Sequence, residues 1–495
     1  MLIGIDLGTT ALKVAAFDPR TGKRLAGEER PLRVATGNDG RREQSPALLL
    51  KVLQNALAAI ADATGSLDDV QGIGLASQGG SGIVADRRTG QARTPMVLWN
   101  DARAFPEHQR IAAAQPTRFW RTRTLRDQPG MGLARLAQLR AQSPELLHAG
   151  SCYAGAGDFL YFHLTGQWRQ DACHALQTGC YDARKDALSP ELAAIAGLGT
   201  DFFPALREGH RTFPLSEAAA SRFGLPAGIP VAGPYMDHEA GFLSTAHVSK
   251  APLQCSMGTA WVGNFQLPAR FEGHASIQFS IPAPAAVGRL VIQPLLTGNV
   301  TWDWALRHFV SASPKKSLEK QARILDEVLL PPEGLIAVPW LNRPNPIDPV
   351  LLGGCSFVGA SPVMGRDDFL RGVVAGMGYE LHRVFAGVAA SGAIDSLVLS
   401  GGASQSRHFQ GLIAALFDPL PVYQLAEAAW MGTRGCLWAF EKRVARAEAA
   451  PVKPDRWPDR QALASGRRLY GEVFDRLYRQ DGAGAAYSVK TRKRV

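Results

Sequence analysis

Apolar residues at the start of the chain form two short runs on either side of a small polar turn. Residues 3–7 make the first run, residues 12–17 make the second, and "GTT" lies between them. Two apolar runs around such a turn predict a β-hairpin with buried strands. The same pattern returns at residues 253–266, "LQCSMGTAWVGNFQ", in the second half of the chain. The recurrence predicts two related α/β domains that meet near residues 245–252.

Strand-like and helix-like patterns alternate between and after these hairpins. Ser45 and Pro46 supply the cap and the first position of the first predicted helix. Alternation of this kind is typical of an α/β fold. The predicted helices cover residues 43–65, 130–145, 369–391 and 465–478, the predicted strands cover 70–77 and 95–103, and residues 229–248 and 394–417 are each predicted as strand, turn and helix.

Length and composition fit a globular protein of more than one domain. The chain has 495 residues, of which 46% are hydrophobic and 20% are charged. A chain of this length predicts two domains of roughly 200 to 250 residues each.

Charge and cysteine content narrow the expected partners and compartment. The formal net charge is +10, but Lys and Arg are scattered except in the final "VKTRKRV". No aromatic-rich basic motif occurs, so we expect no nucleic-acid partner. The six cysteines include no C-x-x-C pair, which predicts free thiols in a reducing compartment and no structural zinc site. With no signal-peptide pattern and no run of about 18 apolar residues, we expect a cytoplasmic protein without a membrane partner.

Three glycine-containing turns that follow predicted strands carry the candidate chemistry. They cover residues 6–10, 256–260 and 400–403. Glycine lets a backbone approach an anion closely, and exposed N–H and hydroxyl groups bind phosphate oxygens. Any one of these turns alone would be an ordinary turn, whereas the three together indicate a nucleotide site. The site is not of the Walker A type, because G-x-x-x-x-G-K-[ST] is absent.

These turns, with three further segments, resemble the FGGY carbohydrate kinases of the actin, Hsp70 and sugar-kinase superfamily. The resemblance covers nearly the whole chain and implies two actin-like (ribonuclease H-like) domains with an interdomain cleft. It implies an N-terminal sugar-binding domain at residues 1–248 and a C-terminal ATP-binding domain with a basic tail at residues 249–495. The segments that carry it are "IGIDLGTTALKVAAFD", "PMVLWNDARA" (as in xylulokinase-like members), "GDFLYFHLTGQWRQDACHA", "MDHEAG", "CSMGTAWV" and "LVLSGGASQSRHFQGLIA".

By this resemblance, Asp237 is the candidate general base. Phosphoryl transfer needs positioning, charge stabilisation and an acceptor for the hydroxyl proton. From the local sequence alone, Asp237 would instead cap a helix that starts at His238. We expect Glu239 to face away or to stabilise the start of that helix.

The resemblance also implies ATP and Mg²⁺ as cofactors. Asp6, together with Asp237, would hold Mg²⁺ through water, although a turn aspartate also bonds its own backbone. Lys13 either reaches phosphate or points to solvent, and Ser404 and Gln405 either bind adenosine or cap a helix. The implied nucleotide-binding residues are Gly8, Thr9, Thr10, Lys13, Gly258, Thr259, Gly298, Gly401, Gly402, Ala403 and Gln405.

The implied substrate contacts lie in two turns of the first half. Trp99 packs on the sugar or belongs to the core, and Asp101 with Arg103 contacts the sugar or forms a supporting ion pair. His174 and Gln177 are expected near the opening of the cleft. The substrate-binding set is Gln78, Gly79, Trp99, Asn100, Asp101, Arg103 and Asp237.

Departures from the xylulokinase pattern bear on the substrate. Gln78, Gly79 and Gly80 replace Gln-Met-His, which is expected to remove a polar contact and to leave space. The catalytic aspartate is often followed by Asn and small residues in the family, where this chain has histidine and glutamate. Ala260 replaces a serine, which is expected to weaken ATP binding modestly.

The expected function is that of an ATP-dependent kinase acting on D-xylulose or a related pentulose. A kinase of another sugar or polyol (hexulose, heptulose or tetritol) is the first alternative. The second is a sugar-sensing or nucleotide-driven conformational protein that phosphorylates no sugar. A homodimer is consistent with the resemblance.

Overall fold

Two large mixed β-sheets organise the chain, one in each half. The computed structural model describes residues 1–267, 279–283, 288–341, 354–454 and 457–478. The strands of the first half are β1 Leu2–Leu7, β2 Ala11–Phe17, β3 Arg24–Pro31, β4 Ala35–Thr36, β5 Arg42–Gln44, β6 Gly72–Ser77, β7 Gly82–Asp86, β8 Met96–Val97, β9 Ser151–Gly155, β10 Arg169–Gln170, β11 Tyr181–Asp182, β12 Ala187–Leu188, β13 Ala205–Leu206, β14 Phe213–Pro214 and β15 Pro230–Met236. Those of the second half are β16 Pro252–Met257, β17 Trp261–Leu267, β18 Phe279–Pro282, β19 Arg289–Pro294, β20 Ile336–Trp340, β21 Gly354–Val358, β22 Ser396–Ser400, β23 Val422–Leu425 and β24 Ala449–Pro451.

Helices cover the faces of these sheets and connect their parallel strands. The α-helices are α1 Pro46–Thr64, α2 Phe105–Ala113, α3 Thr117–Thr124, α4 Met131–Gln142, α5 Ala156–Thr165, α6 Ala172–Gln177, α7 Pro190–Ile195, α8 Glu217–Phe223, α9 Asp237–Thr245, α10 Asn299–Ala305, α11 Pro314–Glu327, α12 Arg366–Ala390, α13 Arg407–Phe417, α14 Met431–Gly435, α15 Lys442–Ala445 and α16 Arg460–Tyr478. Short 3₁₀ turns lie at Pro144–Leu146, Thr200–Phe202, Gly402–Gln405 and Ala428–Trp430, and a π turn lies at Leu306–Val310.

Six strands have the same arrangement in both large sheets, and the second sheet adds β18 at its edge. The first has the order β14-β15-β6-β1-β2-β3 and the second the order β18-β19-β17-β16-β22-β23-β24. In each, an antiparallel hairpin (β1–β2 or β16–β17) continues through two parallel strands, β6 and β15 or β22 and β23. The predicted α/β class and the two related hairpins are therefore confirmed.

Several predicted elements differ in extent from those in the structure. The predicted strand at 95–103 is confirmed only at Met96–Val97, because the polar residues after it form a turn. The helix predicted at 369–391 begins at Arg366, and the helix predicted at 465–478 begins at Arg460. All six cysteines are free thiols, as predicted.

Helix α1 illustrates how its sequence builds the first core. Ser45 precedes it, and the Ser45 hydroxyl oxygen accepts a hydrogen bond from the Leu48 N–H at 3.4 Å, as the capping pattern predicted. One face, which includes Leu49, Leu53 and Leu57, is buried in the core cluster of the first sheet. By length and composition alone, α1 is apolar enough to cross a membrane. Lys51, Gln54, Asn55 and Asp62 interrupt its apolar residues, so it contains no continuous apolar run of about 18 residues, and its apolar face is buried in the first core.

Two helices each pack against the sheet of the opposite half, and their packing brings the candidate site together. Helix α9 follows β15 of the first sheet but packs on β16 and β17 of the second. Helix α14 comes from the second half but packs on β1, β6 and α9. The closest approach is at Gly435, where any side chain would overlap the backbone of Ala240 in α9. The carboxyl ends of the first sheet's parallel strands therefore lie against the second half.

Candidate functional site

Two aspartates meet at the carboxyl ends of adjacent parallel strands. Asp6 is the second-last residue of β1, and Asp237 directly follows β15 and begins α9. Strand β6 lies between β1 and β15, and its last residue, Ser77, pairs with both Leu7 and Met236. Because parallel strands end at the same edge of a sheet, the two carboxylates flank the turn that begins after Ser77.

The environment of Asp6 favours a bound cation. Burial, followed by the negative charge of Asp237, raises the pKa of Asp6 to about 6, although the positive charge of Lys13 opposes this rise. In the described part of the chain, the Oδ1 atom of Asp6 is buried and has no hydrogen-bond partner. A side chain at position 432 of α14 would overlap the Asp6 carboxylate, so the carboxylate packs directly against Gly432. A buried, unpartnered carboxylate oxygen beside a second carboxylate is suited to Mg²⁺.

Asp237 lies at the very start of its helix. The helix begins at Asp237 rather than at His238, and Met236 is the residue before it. The Asp237 Oδ1 atom accepts a hydrogen bond from the His238 N–H at 2.8 Å. The side chain is partly buried. Asp237 therefore bonds the first free amide of the helix and still has a second carboxylate oxygen available.

Glu239 does not face away; it lies in the first turn of α9, which is where the second alternative placed it. It is buried and forms an ion pair with Arg207. The Arg207 guanidinium also lies 4.2 Å from the ring centroid of Tyr235 and donates to the Pro234 carbonyl at 3.1 Å. This buried pair supports the end of β15 behind Asp237.

The structure joins the first glycine turn to the predicted sugar residues. The Thr9 hydroxyl donates to Oε1 of Gln78 at 2.8 Å and accepts from Nε1 of Trp99 at 3.0 Å. Gln44, which sequence reasoning missed, donates to the Thr9 carbonyl at 2.8 Å. Trp99 is partly exposed, so it is not a core residue. Thr10, in the same turn, is exposed.

Asp101 and Arg103 form the supporting ion pair that was one of the two alternatives. Asp101 is buried, and the Arg103 Nε donates to its Oδ1 at 3.0 Å. The same guanidinium donates to Glu43 at 2.6 Å, and the Arg42 N–H donates to Asp101 at 2.8 Å. In contrast, the Oδ1 atom of neighbouring Asn100 is buried without a partner among the residues that the structure describes. Asn100 is therefore the better candidate for contact with a substrate.

Arg135 on α4 is a site residue that sequence reasoning missed. It is buried, and its guanidinium donates to the carbonyls of Gly80 and Trp99, each at 2.6 Å. A third, longer bond of 3.4 Å reaches the Asp101 carbonyl. Burial lowers the pKa of Arg135. The one sequence feature that could have identified Arg135 is its place on the apolar face of a predicted helix. Its guanidinium connects the two substrate turns by bonding a carbonyl in each.

The space expected at Gly79 and Gly80 is filled, so that expectation was wrong. A methyl carbon on Gly79 would lie 2.6 Å from Nε2 of Gln177, and one on Gly80 would overlap Oε1 of the same residue. The Gln177 side chain therefore covers both glycines. His174 is buried rather than at a cleft opening, and burial lowers its pKa to about 4.

Three backbone segments of the second half converge around the other two glycine turns. The Asn299 N–H donates to the Gly258 carbonyl at 3.0 Å. A methyl carbon on Gly298 would lie 2.7 Å from Cα of Ala260. Gly401 has a φ of +84°, and a methyl carbon there would lie 2.7 Å from the Met257 carbonyl carbon. The structure thus groups the predicted nucleotide residues Gly258, Thr259, Gly298, Gly401, Gly402 and Ala403.

Ser404, Gln405, Ala403 and Lys13 differ from one another in burial and in hydrogen-bond partners. Ser404 is buried and donates to the Gly401 carbonyl at 2.7 Å, so its hydroxyl serves the fold. Gln405 is exposed, and Ala403 is buried. Lys13 does not point freely to solvent, because its Nζ donates to the Ala429 carbonyl at 2.9 Å.

The described ranges contain no cluster of three or more His, Cys, Asp or Glu side chains that could hold a metal ion by themselves. A two-carboxylate site is compatible with Mg²⁺, because this ion keeps several waters and shares its ligands with substrate phosphates.

Comparison with known proteins adds to this geometry. Residues 1–244 match the model of the N-terminal domain of the FGGY family of carbohydrate kinases. The chain is 27% identical to the xylulose kinase of Escherichia coli (strain K12), over 97% of this chain and 99% of that protein. It is also 27% identical to the erythritol kinase of Brucella abortus (strain 2308), over 87% of this chain and 86% of that protein.

Solved structures share the fold. The structure of xylulose kinase from Rhodospirillum rubrum is similar with a TM-score of 0.83 and 20% identity, covering 96% of this chain and 98% of that one. The structure of Plasmodium falciparum glycerol kinase with ADP is similar with a TM-score of 0.81 and 15% identity, covering 97% of this chain and 98% of that one. The two-sheet architecture is therefore that of these kinases.

Proposed function

Because this chain belongs to the FGGY family of carbohydrate kinases, we propose that it transfers the γ-phosphate of ATP to a hydroxyl of D-xylulose or a related pentulose. The observation that carries the proposal is the meeting of Asp6 and Asp237 at the ends of β1 and β15. One buried oxygen of Asp6 lacks a partner in the described part of the protein. Phosphoryl transfer uses a carboxylate that accepts the hydroxyl proton, a metal ion, and backbone turns that hold phosphate, and this arrangement can supply each of them.

In this proposal, Asp237 accepts the proton of the attacking hydroxyl. The hydroxyl oxygen forms a bond to the γ-phosphorus, the bond to the bridging oxygen of ADP breaks, and the proton passes to the free oxygen of Asp237. The helix that begins at Asp237 keeps the carboxylate in place through the His238 N–H. Support from behind comes from the buried Glu239–Arg207 pair.

Asp6 and Asp237 are the residues that would hold Mg²⁺. The unpartnered Oδ1 atom of Asp6, on a carboxylate whose other side packs against Gly432, fits a hydrated cation. When bound, Mg²⁺ would offset negative charge on the β- and γ-phosphates.

ATP would bind between the glycine turns of the two halves. The turn at residues 8–10 is proposed to face the γ-phosphate, and Gly258 with Thr259 the β- and γ-phosphates. Gly401 and Gly402 would let adenosine and the α-phosphate approach the backbone. The likeness to a glycerol kinase structure with ADP supports an adenine nucleotide.

The boundary between a sugar-binding half at residues 1–248 and an ATP-binding half at residues 249–495 is part of this proposal. The repeated sheet order supports it. The return of α14 onto the first sheet means that residues of both halves border the carboxylates.

A polyol is the second candidate acceptor. The erythritol kinase is as similar in identity as the xylulose kinase, at 27% each. The Gly79–Gly80 pair also removes the side chains that the xylulokinase pattern places there. A hydroxyl of a four- or five-carbon acyclic compound is the shared chemistry of the two candidates.

The test is ATP consumption with a panel of ketoses and polyols, using wild type and Asp237→Asn. We expect wild type to form ADP only with an acceptor, and Asp237→Asn to lose at least about a thousandfold in kcat while ATP still binds. Asp62→Asn, on the exposed face of α1, is the matched control and should behave as wild type. Full phosphorylation by Asp237→Asn would exclude the assigned base.

A further inference from the structure

The side chain of Gln177 lies directly over Gly79 in the substrate turn after β6. It is the last residue of α6, and a methyl carbon on Gly79 would lie 2.6 Å from its Nε2 and 3.0 Å from its Oε1. The following residue, Thr178, is fixed because its hydroxyl donates to the Ala175 carbonyl at 2.6 Å. Close packing holds the same segment, since a methyl carbon on Gly132 would lie 2.6 Å from the Cα of Thr178. The carboxamide is therefore carried by a rigid support.

The hydrogen-bonding capacity of this carboxamide is largely unused. Within the described ranges, its N–H groups contact only sulfur atoms, Sγ of Cys173 at 3.6 Å and Sδ of Met236 at 3.8 Å. Thiol and thioether sulfurs are weak acceptors. In the same ranges, Oε1 accepts no hydrogen bond, and the side chain is only partly buried. A partly exposed carboxamide with free donors and a free acceptor is equipped to bind hydroxyl groups.

Its position lies between the candidate base and the substrate turns. Met236, which it contacts, directly precedes Asp237. On the other side, Gly80 packs so closely that a methyl carbon there would lie 3.1 Å from Cβ of Trp99. An acceptor molecule placed to react at Asp237 and bounded by Trp99 would therefore lie against Gln177.

The cations of the substrate turns are already paired. Arg103 is bound to Asp101 and Glu43, and Arg135 is bound to backbone carbonyls. Among the described residues of these turns and of α6, the side-chain amides of Asn100 and Gln177 keep hydrogen-bonding atoms for a ligand. Such a lining suits a neutral polyhydroxy chain better than a carboxylated sugar.

We infer that Gln177 is a specificity-determining residue, whose carboxamide fills the space above Gly79 and Gly80 and binds hydroxyls of a neutral, open-chain ketose or polyol. This inference rests on the proposed function, because it concerns the acceptor of the same site. Gln177 of α6 can bind the acceptor at this position because Gly79 and Gly80 have no side chains to occupy it.

The first experiment compares Gln177→Ala with wild type on D-xylulose, its C3 epimer D-ribulose, erythritol and D-gluconate. We expect the neutral compounds to be preferred over D-gluconate. Gln177→Ala should lower kcat/KM for the best neutral acceptor about tenfold and reduce the discrimination between the two epimers. The KM for ATP should not change. Gln54→Ala, which removes a carboxamide that bonds the Arg222 carbonyl on the far side of α1, is the matched control.

A double-mutant cycle with Gly79→Ala separates the carboxamide from general damage. The φ of Gly79 lies outside the left-handed region, so alanine is compatible with its backbone. Its methyl group would displace the flexible Gln177 side chain, so Gly79→Ala alone should also lose about tenfold in kcat/KM. In the Gln177→Ala background the same change should cost less than about twofold, because the carboxamide is already gone.

Three results would overturn the inference. One is a Gln177→Ala enzyme with the kcat/KM values and substrate ranking of Gln54→Ala, which would leave the kinase proposal intact. Another is full additivity of the two substitutions, and the third is preference for D-gluconate. If wild type phosphorylates no compound, the kinase proposal fails, and sugar-induced thermal stabilisation then decides. Stabilisation that Gln177→Ala abolishes supports the inference, and equal or absent stabilisation in both proteins rejects it.

Discussion

Replacing Gly435 by alanine tests whether the crossing of α9 and α14 holds the two carboxylates in place. Gly435 is the last residue of α14 and packs directly on α9. A methyl carbon there would overlap the Ala240 carbonyl oxygen and would lie 2.5 Å from the carbonyl carbon. Ordinary contact begins at 3.4 Å, so the helices would have to separate by about 1–2 Å. Both contacts are to backbone, so no side-chain rotation can relieve them.

The expected cost follows from this displacement. Overpacking of a tight contact costs about 1–3 kcal/mol, and the better helix propensity of alanine returns at most about 1 kcal/mol. We therefore expect a net destabilisation of about 2 kcal/mol, or about 4–8 °C in the melting temperature of a domain of this size. Asp237 begins α9, and Gly432 of α14 lies against Asp6. Because a 1 Å misplacement of reacting groups costs about a hundredfold, kcat should fall by about that factor.

The assay is thermal unfolding together with acceptor-dependent ADP formation. Gly471→Ala is the matched control, because Gly471 lies within helix α16 and has no atom within 4 Å of its added methyl. This control should gain up to about 1 kcal/mol and keep full activity. A Gly435→Ala protein that is as stable and as active as wild type would refute the packing argument. A loss of stability without any loss of kcat would refute the link between this packing and the carboxylates.

Two further predictions concern buried basic groups. Arg135→Met leaves the carbonyls of Gly80 and Trp99 without their donor, so KM for the sugar should rise about tenfold with KM for ATP unchanged; an equal rise in both constants would contradict this. His382, which accepts from Arg467 at 3.1 Å, has a pKa lowered from 6.5 to about 4, chiefly by burial. The folded state therefore favours neutral His382, and the free energy of unfolding should fall by about 3 kcal/mol as the pH falls from 6.5 to 4. In urea titrations His382→Gln should lack this decrease, and an unchanged pH dependence would contradict the assignment.

Elements that depend on residues close together in the sequence were predicted correctly. Each glycine hairpin has apolar residues placed symmetrically around its turn, so the pattern fixes both strands and their pairing. The cap at Ser45 is likewise a signal within a few residues. In contrast, the predicted strand at 95–103 ended after Val97 because the next residues form a hydrogen-bonded turn held by distant partners.

Much of the candidate site depended on contacts that the sequence does not display. Gly80 is bonded by Arg135, which lies 55 positions away, and Gln44 reaches Thr9 across 35 positions. Gln177 covers glycines that, from the sequence, were expected to leave a gap. Side chains of this kind become site residues only when the topology brings their helices to the same sheet edge. Asp6 and Asp237 were identifiable because each lies at the carboxyl end of a strand and matches a family motif.

The most direct test of the account is mass spectrometry of the acceptor after incubation with ATP, Mg²⁺ and wild type or Asp237→Asn protein. The account predicts that wild type converts a neutral four- or five-carbon acceptor to its monophosphate, with one ADP formed for each product. It predicts that Asp237→Asn binds ATP and forms neither. Sugar monophosphate formed at the wild-type rate by Asp237→Asn, or no phosphorylated acceptor from wild type across the panel, would contradict the account.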